Sequence, residues 1–153
     1  MAEITSHSLE ETQKLARDLL MGWQNKWSSQ DQATIIGLEG DLGSGKTTFT
    51  QFVARELGVK EVVTSPTFVL MKFYELGTKN WPWKKLVHID CYRLNSATDL
   101  EKLGIKEIIA DAKNLILVEW PECVRPLLAT AVKIGFKFIN ETDRQITFYD
   151  QEK

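Results

Sequence analysis

The sequence predicts an α/β fold with helices flanking a mixed sheet that has central parallel strands and a C-terminal antiparallel hairpin. First, the apolar, β-branched segment Ala33–Leu38 precedes a glycine-rich turn and an amphipathic helix. Second, Asn114–Val118 is a continuous apolar run, typical of a strand buried on both faces. Third, Ala131–Ile139 and Arg144–Tyr149 alternate polar and apolar residues around a polar turn.

Length and composition favour one globular domain. The chain has 153 residues, of which 43% are hydrophobic and 26% charged, so residues 1–153 can bury a proper core. The net charge of −2 provides no global basic field for nucleic acid or membrane. With only Cys91 and Cys123 and no secretory leader, we expect no disulfide and a cytoplasmic location. No apolar run approaches the roughly 20 residues of a membrane span.

The N-terminal segment predicts an edge strand and a long helix. Glu3–Thr5 has the character of a short strand, and Ser8 with Glu11 forms a capping-box pattern. Residues 9–27 then carry apolar side chains at helical spacing. Trp23 and Trp27 share one face of this helix, which favours packing on the sheet over a cofactor site.

The glycine-rich turn, Gly40-Asp-Leu-Gly-Ser-Gly-Lys-Thr47, has the spacing G-x-x-x-x-G-K-T. Glycines allow the backbone to approach phosphates, and the amide groups at a helix start attract anions. Lys46 can reach the β- and γ-phosphates, and the Thr47 hydroxyl can bind the Mg²⁺ that neutralises them. Residues 48–57 continue as a helix that Gly58 ends. The sequence therefore predicts a P-loop that binds a nucleoside triphosphate with Mg²⁺.

The next segment predicts a switch-like loop and a hairpin. Glu61–Val63 is interpreted as a short strand leading to Thr64-Ser-Pro-Thr67, whose hydroxyls either sense a γ-phosphate or belong to a plain polar turn. Phe68–Leu76 and Lys85–Asp90 then predict an antiparallel strand pair. In the turn between them Trp81 and Trp83 either contact a partner or cover the hairpin.

Two later strands end in acidic residues. Alternation along the strand places His88, Asp90 and Tyr92 on one face, where Asp90 either holds a water or an outer Mg²⁺ ligand, or pairs with Arg93. The residue between Asp90 and Tyr92, Cys91, is expected in the core.

Glu119 follows the buried run at the sheet edge where α/β proteins bind ligands, so it is expected to bind Mg²⁺ directly or through water. Trp120 either lies beside the nucleotide or packs in a loop. Between the two strands, Asn95 or Ser96 caps a helix through Leu103, and Ile105–Ala110 is a further helical turn.

The motifs occur together in an order that resembles one family. These are Glu39-Gly-Asp-Leu-Gly-Ser-Gly-Lys-Thr-Thr-Phe49, Ser65-Pro-Thr-Phe68, His88-Ile-Asp-Cys-Tyr-Arg-Leu94 and Val118-Glu-Trp-Pro121. The chain resembles the bacterial TsaE (YjeE) family over roughly residues 8–127. This resemblance implies a small P-loop α/β ATPase of the machinery that makes threonylcarbamoyladenosine on tRNA. It also implies slow ATP hydrolysis that is coupled to a TsaB–TsaD complex, through which contact with tRNA is indirect.

The resemblance also implies roles for individual residues. The phosphates would be held by the loop residues Asp41, Leu42, Gly43, Ser44, Gly45, Lys46, Thr47 and Thr48. Mg²⁺ would be held by Thr47 and Glu119, and the catalytic residues would be Lys46, Asp90 and Thr67. The remaining residues expected near the nucleotide are Trp120, Thr12 beside the base, and Arg144.

Three alternative functions share the P-loop. A small-molecule kinase usually closes an Arg-rich lid over the phosphates, whereas the arginines here fall singly along the chain. A GTPase would carry Asp-x-x-Gly and Asn-Lys-x-Asp, and neither pattern is present. A nucleotide-gated binding module without significant turnover would contain the same residues as a slow ATPase.

Overall fold

The structure, a computed structural model, describes residues 1–27, 30–66, 70–77 and 80–149, with the backbone alone for residues 25–27. The strands are β1 (Ala2–Ser6), β2 (Thr34–Glu39), β3 (Met71–Glu75), β4 (Lys85–Asp90), β5 (Asn114–Glu119), β6 (Val132–Phe138) and β7 (Arg144–Tyr149). The helices are α1 (Leu9–Trp27), α2 (Lys46–Glu56), α3 (Ala97–Glu101), α4 (Ile105–Ala110) and a 3₁₀ helix (Pro121–Leu127).

All seven strands form one sheet in the order β1-β7-β6-β2-β5-β4-β3. The strand β2 pairs in parallel with both β5 and β6, and β4 pairs in parallel with β5. Antiparallel strands extend the sheet on both sides, β3 beside β4 and the β6–β7 hairpin followed by β1. The predicted mixed sheet with parallel central strands and a C-terminal hairpin is confirmed.

Helices cover both faces of the central strands. On one face α1 and α2 pack over Ile36, Leu38 and Leu117, and on the other α3, α4 and the 3₁₀ helix pack over Ile35 and Ile116. Because β2 and β5 are covered on both sides, the middle of each strand is apolar on both faces, which explains their continuous apolar sequences. None of the helices in the described ranges is long and apolar enough to span a membrane.

The N-terminal helix begins at the predicted cap with one difference. The Ser8 hydroxyl accepts a hydrogen bond from the Glu11 amide at 3.1 Å, as in a capping box. The Glu11 carboxylate accepts from the His7 amide at 2.7 Å, one residue before the position expected. Trp23 packs against the core as predicted, and the side chain of Trp27 lies outside the described residues.

The strand predicted at Glu61–Val63 is wrong. Val62 is 83% exposed, and the Val63 carbonyl accepts a hydrogen bond from the Gln51 side chain of α2, so this segment follows the helix as a loop. The hairpin strand predicted over Phe68–Leu76 covers Met71–Glu75 in the structure, and Phe68 lies outside the described residues.

The two tryptophans of the hairpin turn are packing residues. Trp83 is 2% exposed, and its indole N–H donates to the Thr34 hydroxyl at 2.9 Å. Trp81 stacks on Trp83 with ring centroids 6.2 Å apart and donates to the Glu56 carbonyl at the end of α2. The burial of Trp83 makes it a packing residue of the hairpin, and Trp81 packs against it.

Candidate functional site

The carboxyl ends of three parallel strands meet at one edge of the sheet. There β2 leads through the glycine-rich loop into α2, β4 ends at Asp90 and β5 ends at Glu119. The register pairs Asp90 with Glu119 and Glu119 with Leu38. Adjacent parallel strands therefore bring the two predicted carboxylates next to each other and beside the loop, at the edge where open α/β sheets bind ligands.

The glycine-rich loop between β2 and α2 places the start of α2 at this edge of the sheet. Gly45 is the N-cap residue of α2, and among the described residues no side chain caps the helix. The first amide groups of a helix have no acceptor within it, so this end can bind an anion. The Ser44 amide donates to the Asp41 carbonyl at 3.1 Å, which closes the loop on itself.

The Lys46 side chain is folded back onto its own loop. Its ammonium group donates to the carbonyls of Gly40 at 2.6 Å and Asp41 at 2.8 Å, and it lies 4.1 Å from the ring centroid of Trp120. The residue is only 4% exposed. These contacts compensate a buried cation with two carbonyl dipoles and an aromatic face.

Burial and neighbouring acids act on Lys46 in opposite directions. Removal from water lowers the pKa of Lys46 below its usual value, and the negative charges of Glu119 and Asp90 partly oppose this shift. Burial is the larger effect, so the net shift of the pKa is downward. An additional anion beside the ammonium group would oppose this shift and favour the charged form.

Glu119 lies at the centre of a buried hydrogen-bond network. It is 2% exposed, and both carboxylate oxygens lie 3.0 Å from the Thr47 hydroxyl oxygen. The Oε1 atom also lies 2.9 Å from Nε2 of His88, which is itself fully buried. A strand end, a helix start and a neighbouring strand thus fix the position of this carboxylate.

The donor set at Thr47 and Glu119 fits Mg²⁺. A hydroxyl and a carboxylate are hard oxygen ligands, and two oxygens at about 2.1 Å on adjacent corners of an octahedron lie roughly 3 Å apart, close to the observed separation. Among the described residues no group of three or more His, Cys, Asp or Glu side chains could hold a metal alone. A magnesium ion here would need further oxygens from phosphate or water.

Two hydrogen bonds from described residues orient the Asp90 carboxylate. The Ser65 hydroxyl donates to Oδ2 and the Tyr92 amide donates to Oδ1, both at 2.9 Å. Its backbone amide in turn donates to the Leu70 carbonyl of the preceding loop. Tyr92 lies just beyond the end of β4 and is half exposed, with its ring centroid 5.0 Å from that of Trp120.

Two adjoining cavities open at this edge. The first, of ≈ 290 Å³, contains most of the predicted site: Leu42, Gly43, Gly45, Lys46, Thr47, Thr48, Ser65, Asp90, Tyr92, Glu119, Trp120 and Arg144. The second, of ≈ 340 Å³, is lined by His7, Ser8, Leu9, Glu10, Thr12, Gly45, Thr48, Phe136, Glu141, Thr142, Arg144 and Ile146. Gly45, Thr48 and Arg144 line both, so one extended ligand can occupy the two together.

The sequence model of the TsaE family, described as threonylcarbamoyl adenosine biosynthesis protein TsaE, matches residues 6–146. The chain belongs to the TsaE family. It is 37% identical to the Bacillus subtilis tRNA threonylcarbamoyladenosine biosynthesis protein TsaE over 74% of this chain and 68% of that protein. It is 30% identical to the Aquifex aeolicus protein of the same name, over 97% of this chain and 96% of that protein.

A solved structure gives the same result for the fold. The crystal structure of Bacillus subtilis YdiB superposes with a TM-score of 0.70 at 28% sequence identity, covering 99% of this chain and 86% of that one. The resemblance to the TsaE family predicted from the four motifs is therefore confirmed.

The TsaE-family motifs do not account for the whole site. Thr67 lies outside the described residues, while Asp41 and Ser44 shape the loop without lining either cavity. Thr12 lines the second cavity and contacts the Ser6 hydroxyl at 2.7 Å. Arg144 lies beside Gly45, where it donates to the carbonyls of the β6–β7 turn.

Much of the second cavity was not predicted from the sequence. The turn before α1 contributes His7, and the β6–β7 turn contributes Glu141 and Thr142. The two turns are far apart in the chain and meet because β1 pairs with β7 at the edge of the sheet. His7 Nδ1 lies 3.3 Å from the Asp143 carboxylate across this junction. No residue type or spacing in these turns marks a binding site.

Proposed function

We propose that this chain is the Mg²⁺-dependent ATPase subunit of the machinery that makes threonylcarbamoyladenosine on tRNA. The observation that carries the proposal is the convergence of Lys46, Thr47, Asp90 and Glu119 around one cavity of ≈ 290 Å³. Membership of the TsaE family, whose relatives are named for this biosynthesis, supports the biological role. We further propose that the subunit hydrolyses ATP slowly alone and acts in the cytoplasm with a TsaB–TsaD complex.

The nucleotide would span both cavities. The cavity with Lys46 and the start of α2 provides the cation and amide groups that phosphates require. The other combines the apolar side chains of Leu9, Phe136 and Ile146 with a few polar groups, a composition suited to a base. Thr48, which lines both, would lie beside the phosphates nearest the sugar.

Binding of phosphates would replace contacts that the loop makes with itself. Lys46 now donates to the carbonyls of Gly40 and Asp41, and both bonds can be exchanged for bonds to phosphate oxygens. The negative charge of the phosphates would also offset the burial that lowers the pKa of Lys46. The exchange leaves the cation in place and requires only a change of acceptor.

The charges required for hydrolysis are divided among three groups. A magnesium ion held by Thr47 and Glu119 would neutralise charge on the phosphate oxygens. Lys46 and the amide groups of the loop would stabilise the charge that develops on the transferred phosphoryl group. Asp90, whose two oxygens are oriented by Ser65 and the Tyr92 amide, would position the attacking water.

Substitution of Lys46 tests the site assignment. Lys46→Ala should abolish binding of ATP with Mg²⁺ and the release of phosphate, because the principal cation at the phosphates is lost. Lys14→Ala is the matched control, since Lys14 is exposed on α1 and pairs with Asp18. Calorimetry with ATP and a phosphate-release assay measure the two effects, and circular dichroism verifies the fold.

Three results would refute parts of this proposal. Wild-type hydrolysis by Lys46→Ala would show that the phosphates bind elsewhere. Transfer of phosphate from ATP to a small-molecule acceptor, detected in place of free phosphate, would identify a kinase. Tight ATP binding without turnover under any condition, including with TsaB and TsaD, would indicate a nucleotide-gated binding module.

A further inference from the structure

His88 is a buried polar residue to which the proposed hydrolysis assigns no step. It lies in β4 between Lys72 of β3 and Leu117 of β5 and is 0% exposed. It lines neither of the two cavities described above, so it does not reach a bound ligand directly. Any effect of His88 on the site must therefore act through another residue.

The polar contact of His88 is with Glu119. Its Nε2 atom lies 2.9 Å from Glu119 Oε1, and its Nδ1 atom is buried without a hydrogen-bond partner among the described residues. An ionised carboxylate only accepts hydrogen bonds, so the proton of this contact belongs to Nε2. A proton on Nδ1 would be a buried donor with no acceptor in the described part of the chain, which also favours the Nε2–H tautomer.

Glu119 has two described side-chain partners, Thr47 and His88, and each helps to fix the position of the carboxylate. The Thr47 hydroxyl donates a hydrogen bond to Glu119 in this structure, and Thr47 and Glu119 would both be ligands of a bound Mg²⁺. Of the two described partners of the carboxylate, His88 is the one that would not itself be a ligand. Outer donors of this kind orient metal ligands in many sites.

We propose that His88 is a positioning residue that donates from Nε2 to Glu119 Oε1 and holds this carboxylate beside Thr47 for Mg²⁺. The proposal rests on the proposed function, because it concerns the affinity of the nucleotide site for magnesium. Nδ1, which has no hydrogen-bond partner in the described part of the chain, has no role in this proposal. The function of the ring therefore depends on the N–H group at Nε2.

Substitution by the two amide residues distinguishes the ring nitrogens. The side-chain nitrogen of Gln lies as far from the backbone as Nε2 of His, whereas that of Asn corresponds to Nδ1. His88→Gln therefore keeps a donor where Glu119 needs it, and His88→Asn moves it out of reach. His88→Leu removes the donor and keeps an apolar side chain of comparable length.

The readout is the apparent affinity for Mg²⁺ in the presence of ADP, measured by titration calorimetry on the full chain. We expect His88→Gln to stay within about threefold of wild type, and His88→Asn and His88→Leu to lose about tenfold or more, the effect typical of a lost outer-shell partner. Binding of ADP without Mg²⁺ should be the same in all four proteins, because His88 does not line the cavities. Nitrogen-15 NMR of the nucleotide-free wild type should show the proton on Nε2.

The results separate this proposal from the function on which it rests. Equal Mg²⁺ affinity in wild type and His88→Asn, or a proton on Nδ1, would overturn the positioning role and leave the ATPase proposal intact. Equal loss of metal-free ADP binding in all three variants would also overturn it, because it would indicate a general structural role. Absence of Mg²⁺-dependent ADP binding in the wild type would overturn the proposed function itself.

Discussion

Replacement of Gly40 by alanine is expected to be the most damaging single methyl addition at a glycine of the loop. Gly40 has φ +144°, a backbone conformation that residues with a side chain rarely adopt. A Cβ atom there would lie 2.3 Å from the Phe136 carbonyl oxygen and 2.8 Å from the Ser44 hydroxyl. An ordinary carbon–oxygen contact is about 3.3 Å, so the chain must move by about 1 Å at this point.

The neighbour cannot yield without cost. Phe136 lies in the middle of β6, pairs with Ile146 of β7, and its ring meets that of Phe49 edge-on at a centroid distance of 5.3 Å. Backbone strain of about 1–2 kcal/mol and a similar overpacking penalty of about 1–3 kcal/mol predict a loss of about 3 kcal/mol in the free energy of unfolding. For a chain of this size, that loss lowers Tm by roughly 6–12 °C.

Two other glycines provide matched controls. Gly43 has φ +74° and open space where a Cβ atom would lie, so Gly43→Ala should cost only the strain of about 1 kcal/mol. Gly22 lies within α1, and a Cβ atom there would meet nothing within 4 Å, so Gly22→Ala should stabilise the protein by about 0.5–1 kcal/mol. Urea unfolding of the nucleotide-free protein measures all three. Equal losses for Gly40→Ala and Gly43→Ala would refute the steric reasoning.

Three further predictions concern the metal ligand, the core and alkaline pH. Glu119→Ala should reduce Mg²⁺-dependent phosphate release far more than metal-free nucleotide binding, measured by enzyme assay and calorimetry, whereas equal loss of both would indicate a structural role. Trp83→Phe removes the buried bond to the Thr34 hydroxyl, so urea unfolding should show a loss of about 2–3 kcal/mol; an unchanged stability would contradict the importance of this bond. Burial raises the pKa of the Cys91 thiol from 9.0 to about 12. The unfolded chain loses this proton first, so stability should fall as pH rises from about 9 to 12. Urea unfolding at pH 8 and pH 10 should show a smaller decrease for Cys91→Ala than for wild type, and an equal decrease would argue against this origin.

The sequence predicted the central strands and the groups at their ends because these features are local. A continuous apolar run, a glycine loop and a terminal acid each occupy a few adjacent residues, and parallel pairing then brings their ends together. Asp90 and Glu119 accordingly lie on neighbouring strands beside Lys46 and Thr47. The chemistry of each residue type suggested its function before the distances were known.

The remaining features depend on contacts between distant segments. The composition of Glu61–Val63 does not show that the Val63 carbonyl group accepts a hydrogen bond from the Gln51 side chain of α2. Local patterns therefore predicted a strand where the structure has a loop. The hydrogen bond between His88 and Glu119 could be predicted only if the register between β4 and β5 were known. The second cavity exists because the chain ends meet in the β1–β7 pair, a long-range choice that local patterns do not determine.

The most direct test of the proposed function is the rate of phosphate release from ATP in the presence of Mg²⁺. The rate is measured with the protein alone and then with purified TsaB and TsaD, with and without tRNA. We expect slow release by the protein alone and strong stimulation by the complex, and we expect Lys46→Ala to abolish both. Fast release by the isolated protein that does not change when TsaB and TsaD are added would contradict the proposed coupling and indicate a free-standing enzyme.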